Sequence, residues 1–533
     1  MRLENAILEW KKIIGDSQVF DKETAEVEYG SCTTGVSRAI SASIKPLDAS
    51  HIPNIVKIAN KYKVALYPIS TGHNWGYGTA LPSIDNCVIL DLSALNKILE
   101  FDPDTGLVTL EPGVTQGQLA EFLTLGNHSY MVPVTGAGPT CSLLGNALER
   151  GYGITPITDH FGAVISIEAV LADGSIYQSA LSAMGGESID RAFKWNVGPY
   201  LDGIFSQGSF GVVTKMTIAL AHRPESVESF LFGLKNSEQL PDLVRLIQKI
   251  ITRYPGILGG VNLMNAHRVL AMSIPYPRDK LALNKTIAQE TLSELCKANH
   301  VMPWTGLGTL YGSRKVLKVV KQEIKAMLSP IASQLIFVNS GLIKTSIKVI
   351  KFFPNFIRTK FERKLMMLER SMQLVSGWPN QTALPLCYWL MNDSDVRQEV
   401  FLNPARDGCG LIWYSPLVLM KPDSVMQYIN MVTSVMQKHG LEPLVTLTSV
   451  TNACFDSTVP LLFDRTSSQG QKSAENCYWE LLETGKKLGF VPYRFGIHAM
   501  SWLTADETPY WQTVRKIKRS LDPDNIISPG RYV

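Results

Sequence analysis

Two regimes of hydrophobic patterning divide the chain. From about residue 40 to 222, short apolar runs alternate with glycine-rich breaks. Cys87 to Leu92 (CVILDL), Leu107 to Leu110 (LVTL), Ala163 to Leu171 (AVISIEAVL) and Val212 to Leu220 (VVTKMTIAL) read as strands, the third closed by the turn Ala172-Asp173-Gly174. The turn Glu111-Pro112-Gly113 opens a helical Gly117 to Leu123, so the pattern is α+β. From 223 to 480 longer stretches carry apolar residues at helical spacing, as in Ser237 to Thr252 and Lys421 to His439, with strands at Leu411 to Tyr414 and Leu444 to Ser449. This region reads as a separate cap. The tail from 481 returns to a strand, Val491 to His498, and a helix, Pro509 to Leu521. At the start, MRLENAILEWKKIIG interrupts its apolar positions with Glu4, Glu9 and paired lysines, which predicts an amphipathic helix and not a signal peptide.

Length and charge narrow the picture. A chain of 533 residues is too long for one core, and 45% hydrophobic against 18% charged residues predicts large buried interiors. The net charge of +4 comes without a basic stripe interleaved with aromatics, which argues against nucleic acid as a partner. Eight scattered cysteines with no CxxC pair suit a reducing compartment, and no apolar run approaches the roughly 18 residues of a membrane span. A cytoplasmic protein is the expectation. Lys344 to Arg370 stands apart, placing Lys344, Lys348, Lys351, Arg358, Lys360, Arg363 and Lys364 among Ile, Phe and Leu. Such a stretch can lie on an anionic membrane surface or an acidic partner, but a cap helix with a solvated face, broken at Pro354, is the favoured reading.

The richest chemistry begins in Pro68 to Gly78, PISTGHNWGYG, with three glycines within seven residues. A backbone of that kind can lie against a flat or phosphorylated ligand where side chains would block it. Three further segments follow. Val132-Pro133 leads to Gly136-Ala137-Gly138 and then Gly145-Asn146-Ala147-Leu148-Glu149-Arg150-Gly151; Gly198 to Gln207 leads to Gly211-Val212-Val213-Thr214-Lys215; and the tail ends in Asn525-Ile526-Ile527 and Pro529-Gly530-Arg531. These segments, in this order, resemble the vanillyl-alcohol oxidase and p-cresol methylhydroxylase family of FAD-linked oxidoreductases. The resemblance implies an α+β, two-domain flavoprotein. Its N-terminal FAD-binding domain (1–222, core 40–222) has two α/β subdomains, its substrate cap (223–480) is an antiparallel sheet with helices, and its C-terminal segment (481–533) returns to the FAD domain.

FAD is the implied cofactor, held by Ser70, Thr71, Gly72, His73, Asn74, Gly76, Gly136, Gly138, Gly145, Asn146, Arg150, Gly211, Val212 and Arg531. His73 stands where other branches of the superfamily place a histidine bonded to the flavin, so covalent attachment there and tight noncovalent binding are both open. Leu411 fills the slot from which cap-tethered relatives supply a histidine. Arg531 is a candidate for the flavin's pyrimidine edge.

Tyr77, Tyr493 and Arg494 match the residues that hold a substrate phenol as phenolate in phenol-oxidising relatives. An arginine with two phenolic donors lowers the bound phenol's pKa and drives electrons toward the para position. The resemblance thus implies hydride transfer from a benzylic carbon to flavin N5 through a quinone methide. The aspartate that relatives carry after Val-Pro is replaced by Val134, so the base is elsewhere or absent. His498, on Arg494's face of the expected strand, is one candidate, and a buried histidine bonded to a carbonyl is the other reading. Ile157 in place of a tyrosine implies a less polar pocket, and Trp389, Trp413, Tyr414 and Trp502 could wall an aromatic substrate, with plain core the favoured reading.

The leading expectation is an FAD-dependent oxidoreductase for a para-substituted phenol or related aromatic compound, with O2, a cytochrome or another electron carrier as acceptor. The alternatives are a flavin oxidase or dehydrogenase of a nonphenolic alcohol or hydroxy acid, or a low-turnover flavin-binding partner subunit. A homodimer is expected by resemblance.

Overall fold

In a computed structural model of the chain, residues 2–282, 286–351, 355–391 and 401–533 are described, apart from the side chains of 355–361, 363 and 364. The N-terminal helix Arg2–Ile14 is amphipathic as expected, burying Ala6, Trp10 and Ile14. The Trp10 indole donates to the Ile55 carbonyl at 3.1 Å, which docks this helix on the helix Ile52–Tyr62.

Beneath these helices a sheet runs in the order Val19–Phe20, Ile40–Ile44, Cys87–Asp91 and Leu66–Ile69, its last three strands parallel. Cys87–Asp91 is buried along its whole length because each face serves a different core. Val88 and Leu90 pack with Trp10 and Ile55, whereas Cys87 and Ile89 join the cluster that contains Phe230, Leu263 and Phe455. Beside it stands an antiparallel sheet in the order Ile98–Asp102, Leu107–Leu110, Val212–Ala219, Val164–Val170 and Ile176–Tyr177. The helix Gln116–Leu125 that follows the Glu111 turn starts on a capping box between Thr115 and Gln118.

Every strand of the large antiparallel sheet falls between Ser226 and Asp464, in the order Ala332–Val338, Ser226–Leu234, Trp304–Gly312, Leu258–Asn265, Thr446–Ser449, Cys454–Asp464 and Cys409–Tyr414, with Leu417–Leu419 also on Cys454–Asp464. Period-two alternation gives its central strands two destinations. Val261, Leu263, Leu447, Phe455 and Val459 enter the core formed with the helices Leu240–Arg253, Arg314–Leu328, Pro422–Lys438 and Ser468–Leu488. Their neighbours Asn262, Met264, Thr446, Thr448, Asp456 and Thr458 face a cavity instead.

The helix Pro509–Leu521 forms over the expected residues. Behind it, Leu66 N–H donates to the Ile526 carbonyl (2.7 Å) and Ser528 N–H to the Leu66 carbonyl (2.8 Å), so the tail joins the parallel sheet. Buried Lys518 fixes the connection, donating to Asp522 and to the carbonyls of Ser209 and Ile527.

One expected element changes. Val491 to His498 is not a strand: Pro492 makes a single bridge to Pro416, and the segment then turns. Pro492 and Gly496 interrupt a ladder, and Ile497 N–H instead bonds the Tyr77 carbonyl at 2.9 Å, which pins the segment to the first glycine-rich loop. The basic stretch consists of the helices Ser340–Ile350 and Asn355–Val375 on either side of 352–354. Pro354 and the side chains of Arg358, Lys360, Arg363 and Lys364 lie outside the described residues. Among the described residues no helix is long and apolar enough to cross a membrane.

Candidate active site

The first glycine-rich loop leaves the carboxyl end of the parallel strand Leu66–Ile69, the edge at which α/β sheets open a crevice. There it borders a cavity of about 530 Å³ whose opposite wall is the inner face of the large sheet. Of the residues singled out from sequence, Ser70, Thr71, Gly72, His73, Asn74, Tyr77, Gly136, Gly145, Asn146, Gly211, Tyr493, Arg494 and Arg531 line it.

Five stand off the wall. A Cβ on Gly76, which has φ +79°, would overlap the Trp413 indole, so this glycine admits the cap and not a ligand. Gly138, with φ +86°, lies against Leu384, which a Cβ would crowd at 3.2 Å. Arg150 turns outward and donates from Nε to Ser206 Oγ at 3.0 Å. The Val212 side chain belongs to the core, and Val213 faces the cavity in its place. His498 is packed edge-on to Tyr478, 4.6 Å between centroids, with neither ring nitrogen hydrogen-bonded. Burial, reinforced by Arg38, pushes its pKa down to about 4. Neither reading of His498 is therefore found: it does not share Arg494's cavity, and no carbonyl satisfies it.

The loop suits a pyrophosphate and a flat ring. Among the described residues the backbone N–H groups of Thr71, Gly72, His73 and Asn74 have no hydrogen-bond acceptor, which suits them to an anion. Gly145 lets the helix Leu143–Leu148 close on Ser70, since a Cβ there would overlap Ser70 Oγ. Polar atoms of Trp75, Arg268, Thr382 and Asp456, all cavity residues, are buried without a hydrogen-bond partner among the described residues, an arrangement that suits a polar ligand. His73 stacks on Trp75 at 4.8 Å and meets Thr140 Oγ1 through Nδ1 at 3.2 Å. Burial lowers its pKa to about 4, so the ring is neutral near pH 7. Leu411 is an aliphatic part of the wall and offers no attachment atom.

At the other end, the Arg494 guanidinium lies over the Tyr77 ring, donates to Asn74 Oδ1 and pairs with Glu149 Oε2 at 3.2 Å. The other oxygen of Glu149 pairs with Arg531, so one carboxylate holds both arginines. Arg531 also donates to Tyr67 Oη at 3.1 Å. The Tyr77 hydroxyl hydrogen-bonds Ser415 Oγ at 2.7 Å, and burial raises its pKa to about 12 against the pull of Arg494 and Ser415. Tyr493 is raised well above the ordinary phenol value, by burial first and by Asp456 second. It meets Tyr152 edge to face at 5.3 Å.

Asp456 is the residue that sequence reasoning missed. It is 3% exposed, and burial pushes its pKa up to about 7 despite Arg494 and Tyr493. Arg268, on the helix Ala266–Ala271, was missed as well. With Asn262, Thr446, Thr448 and Thr458 they make the cap wall polar, contrary to the expectation from Ile157, which does not line the cavity. An aspartate in the otherwise uncharged CFDSTVPLLF was the available signal.

Comparison with known proteins gives a consistent result. A sequence profile described as an FAD binding domain matches residues 40–179. The chain is 30% identical over 532 residues (99% of it and 97% of the relative) to 1'-carboxy-chondrochloren decarboxylase of Chondromyces crocatus. It is 26% identical to the flavoprotein subunit of 4-cresol dehydrogenase [hydroxylating] of Pseudomonas putida, across 99% of this chain and 94% of that one. Among solved structures, 4-ethylphenol oxidase from Gulosibacter chungangensis superposes with a TM-score of 0.88 at 22% identity, covering 100% of this chain and 97% of that one, which establishes a shared fold.

Proposed function

The chain belongs to the vanillyl-alcohol oxidase and p-cresol methylhydroxylase family of FAD-dependent oxidoreductases, and on that premise we propose that it oxidises a para-substituted phenol or related aromatic compound at the benzylic carbon. FAD, when bound, supplies the hydride acceptor. Residues 1–222 and 481–533 are the proposed flavin-holding body and 223–480 the cap. Thr71 to Asn74 would receive the pyrophosphate through their backbone, and Arg531 would stand at an electron-rich edge of the ring.

One observation carries the substrate reading: Arg494 over Tyr77, with Tyr493 next in the chain and Asp456 behind it. The guanidinium offers a planar fork of donors matched to an oxygen anion. The two tyrosines resist ionisation, so they stay donors while a substrate phenol among them loses its proton more readily. A phenolate drives electron density to the para carbon and weakens the benzylic C–H bond toward hydride loss. Asp456, with a pKa of about 7, is suited to accept the phenolic proton or to deprotonate water that adds to the resulting quinone methide. Its place on the wall answers the loss of the aspartate at Val134.

Anaerobic addition of 4-ethylphenol to the holoenzyme tests this reading, with bleaching of the yellow flavin band as the expected result. Bleaching by a hydroxy acid or alkyl alcohol but not by phenols moves the substrate to the nonphenolic class. Bleaching by none of them identifies a low-turnover flavin-binding subunit. Readmitting air then distinguishes O2, which restores the colour and yields peroxide, from an electron carrier.

A further inference from the structure

Arg268 is a cation that phenol oxidation leaves unused. Its Nε donates to Thr446 Oγ1 at 3.1 Å, whereas Nη1 is shut off from solvent and has no hydrogen-bond partner. Among the described residues no carboxylate pairs with it. Glu149 is taken by Arg494 and Arg531, Glu442 faces His267 at 3.6 Å, and Asp456 is drawn to Arg494. Burial lowers the guanidinium only to about 10, so it is charged at neutral pH. Buried charges are kept where something compensates them. The cavity, which Arg268 lines, is open to a group that would compensate it.

The strand register locates this charge relative to the phenol end. Thr446 pairs with Thr458 and Thr448 with Asp456, and all four face the cavity. Asp456, beside Tyr493 and Arg494, therefore stands two residues along the sheet from Arg268's anchor, roughly 7 Å. An aromatic ring with a short side chain bridges such a distance.

We propose that the natural substrate carries a carboxylate, received by Arg268, on a short chain para to the phenolic oxygen that faces Arg494. The cofactor's own anionic group would be held from the other wall, by the N–H groups of Thr71 to Asn74, which have no acceptor among the described residues. The phenolic end of this substrate rests on the function proposed above; the carboxylate end rests on Arg268 alone.

The test compares flavin spectral titrations of holoenzyme and Arg268→Met with three probes: 3-(4-hydroxyphenyl)propionate, 4-propylphenol and 3-phenylpropionate. In the wild type the hydroxy-substituted acid is expected to bind about 30-fold more tightly than 4-propylphenol, the size of a charge-assisted hydrogen bond. In Arg268→Met that preference falls to about threefold or less, mainly through weaker binding of the acid, with flavin retained and 4-propylphenol still bound. Arg268→Lys recovers part of it. Equal wild-type affinities overturn the proposal even if the variants fail to fold, as does a preference that survives in Arg268→Met. Loss of flavin from a folded Arg268→Met overturns it too, by assigning the charge to the cofactor. Tight binding of 3-phenylpropionate that depends on Arg268, without bleaching by any phenol, upholds the carboxylate site while the phenol reading fails.

Discussion

The guanidinium carbon of Arg494 lies 4.3 Å from the centroid of the Tyr77 ring. Stacking of this kind fixes a planar cation where an ammonium would wander. Arg494→Lys keeps the charge but loses that plane, and kcat/KM for a 4-alkylphenol is expected to fall about 10²- to 10³-fold, as when an oxyanion donor is removed. Flavin content measured on the same preparation is expected to stay near wild type, because Arg531 still faces Glu149.

Asp456 ties activity and stability to pH in opposite directions. Burial raises its pKa to about 7, so between about pH 4 and 7 the folded chain holds a proton that the unfolded chain has lost. Stability therefore declines as pH rises through that window and levels off above it. The reactive carboxylate, by contrast, appears on the upward side. Asp456→Asn is expected to widen its Tm advantage between pH 5 and pH 8, and to abolish the rise of kcat through neutrality with a loss of about 10²- to 10⁴-fold.

Close approach of Gly145 to Ser70 makes a paired test. A Cβ at 145 collides with Ser70 Oγ and stands 3.3 Å from Ser70 Cβ. Gly145→Ala is expected to weaken FAD binding at least about tenfold by prising the loop from the helix, and Ser70→Ala/Gly145→Ala to recover part of the loss, a coupling of about 1 kcal/mol or more. Equilibrium dialysis against FAD reads both.

Lys518 and Asp522 form a buried pair, with desolvation lowering the lysine's pKa and Asp522 opposing the shift. Lys518→Met strands the carboxylate, a loss of about 3–5 kcal/mol. Chemical denaturation is expected to show that loss together with poorer FAD retention, since the same tail carries Arg531.

Strands such as Val164–Val170 and the helix Pro509–Leu521 were legible because local pattern and tertiary role agree there. Val491 to His498 was misread because the alternation of Val491, Tyr493, Phe495 and Ile497 outweighed Pro492 and Gly496. The error carried His498 with it: alternation would place it beside Arg494, and the turn rotates it onto Tyr478. Arg268 and Asp456 were hidden for another reason. Alternation shows that Asp456 and Phe455 point to opposite faces, but which face meets a cavity is set by helices far away in the sequence.

Arg531 meets Tyr67 across a separation of 464 positions in the chain. Bringing such distant points together costs about 5 kcal/mol of loop-closure entropy before any contact rewards it, and contacts of this range slow folding. During renaturation, far-UV signals from the sheets and helices are thus expected to recover ahead of flavin capture, making the yellow colour a marker for the last seam to knit.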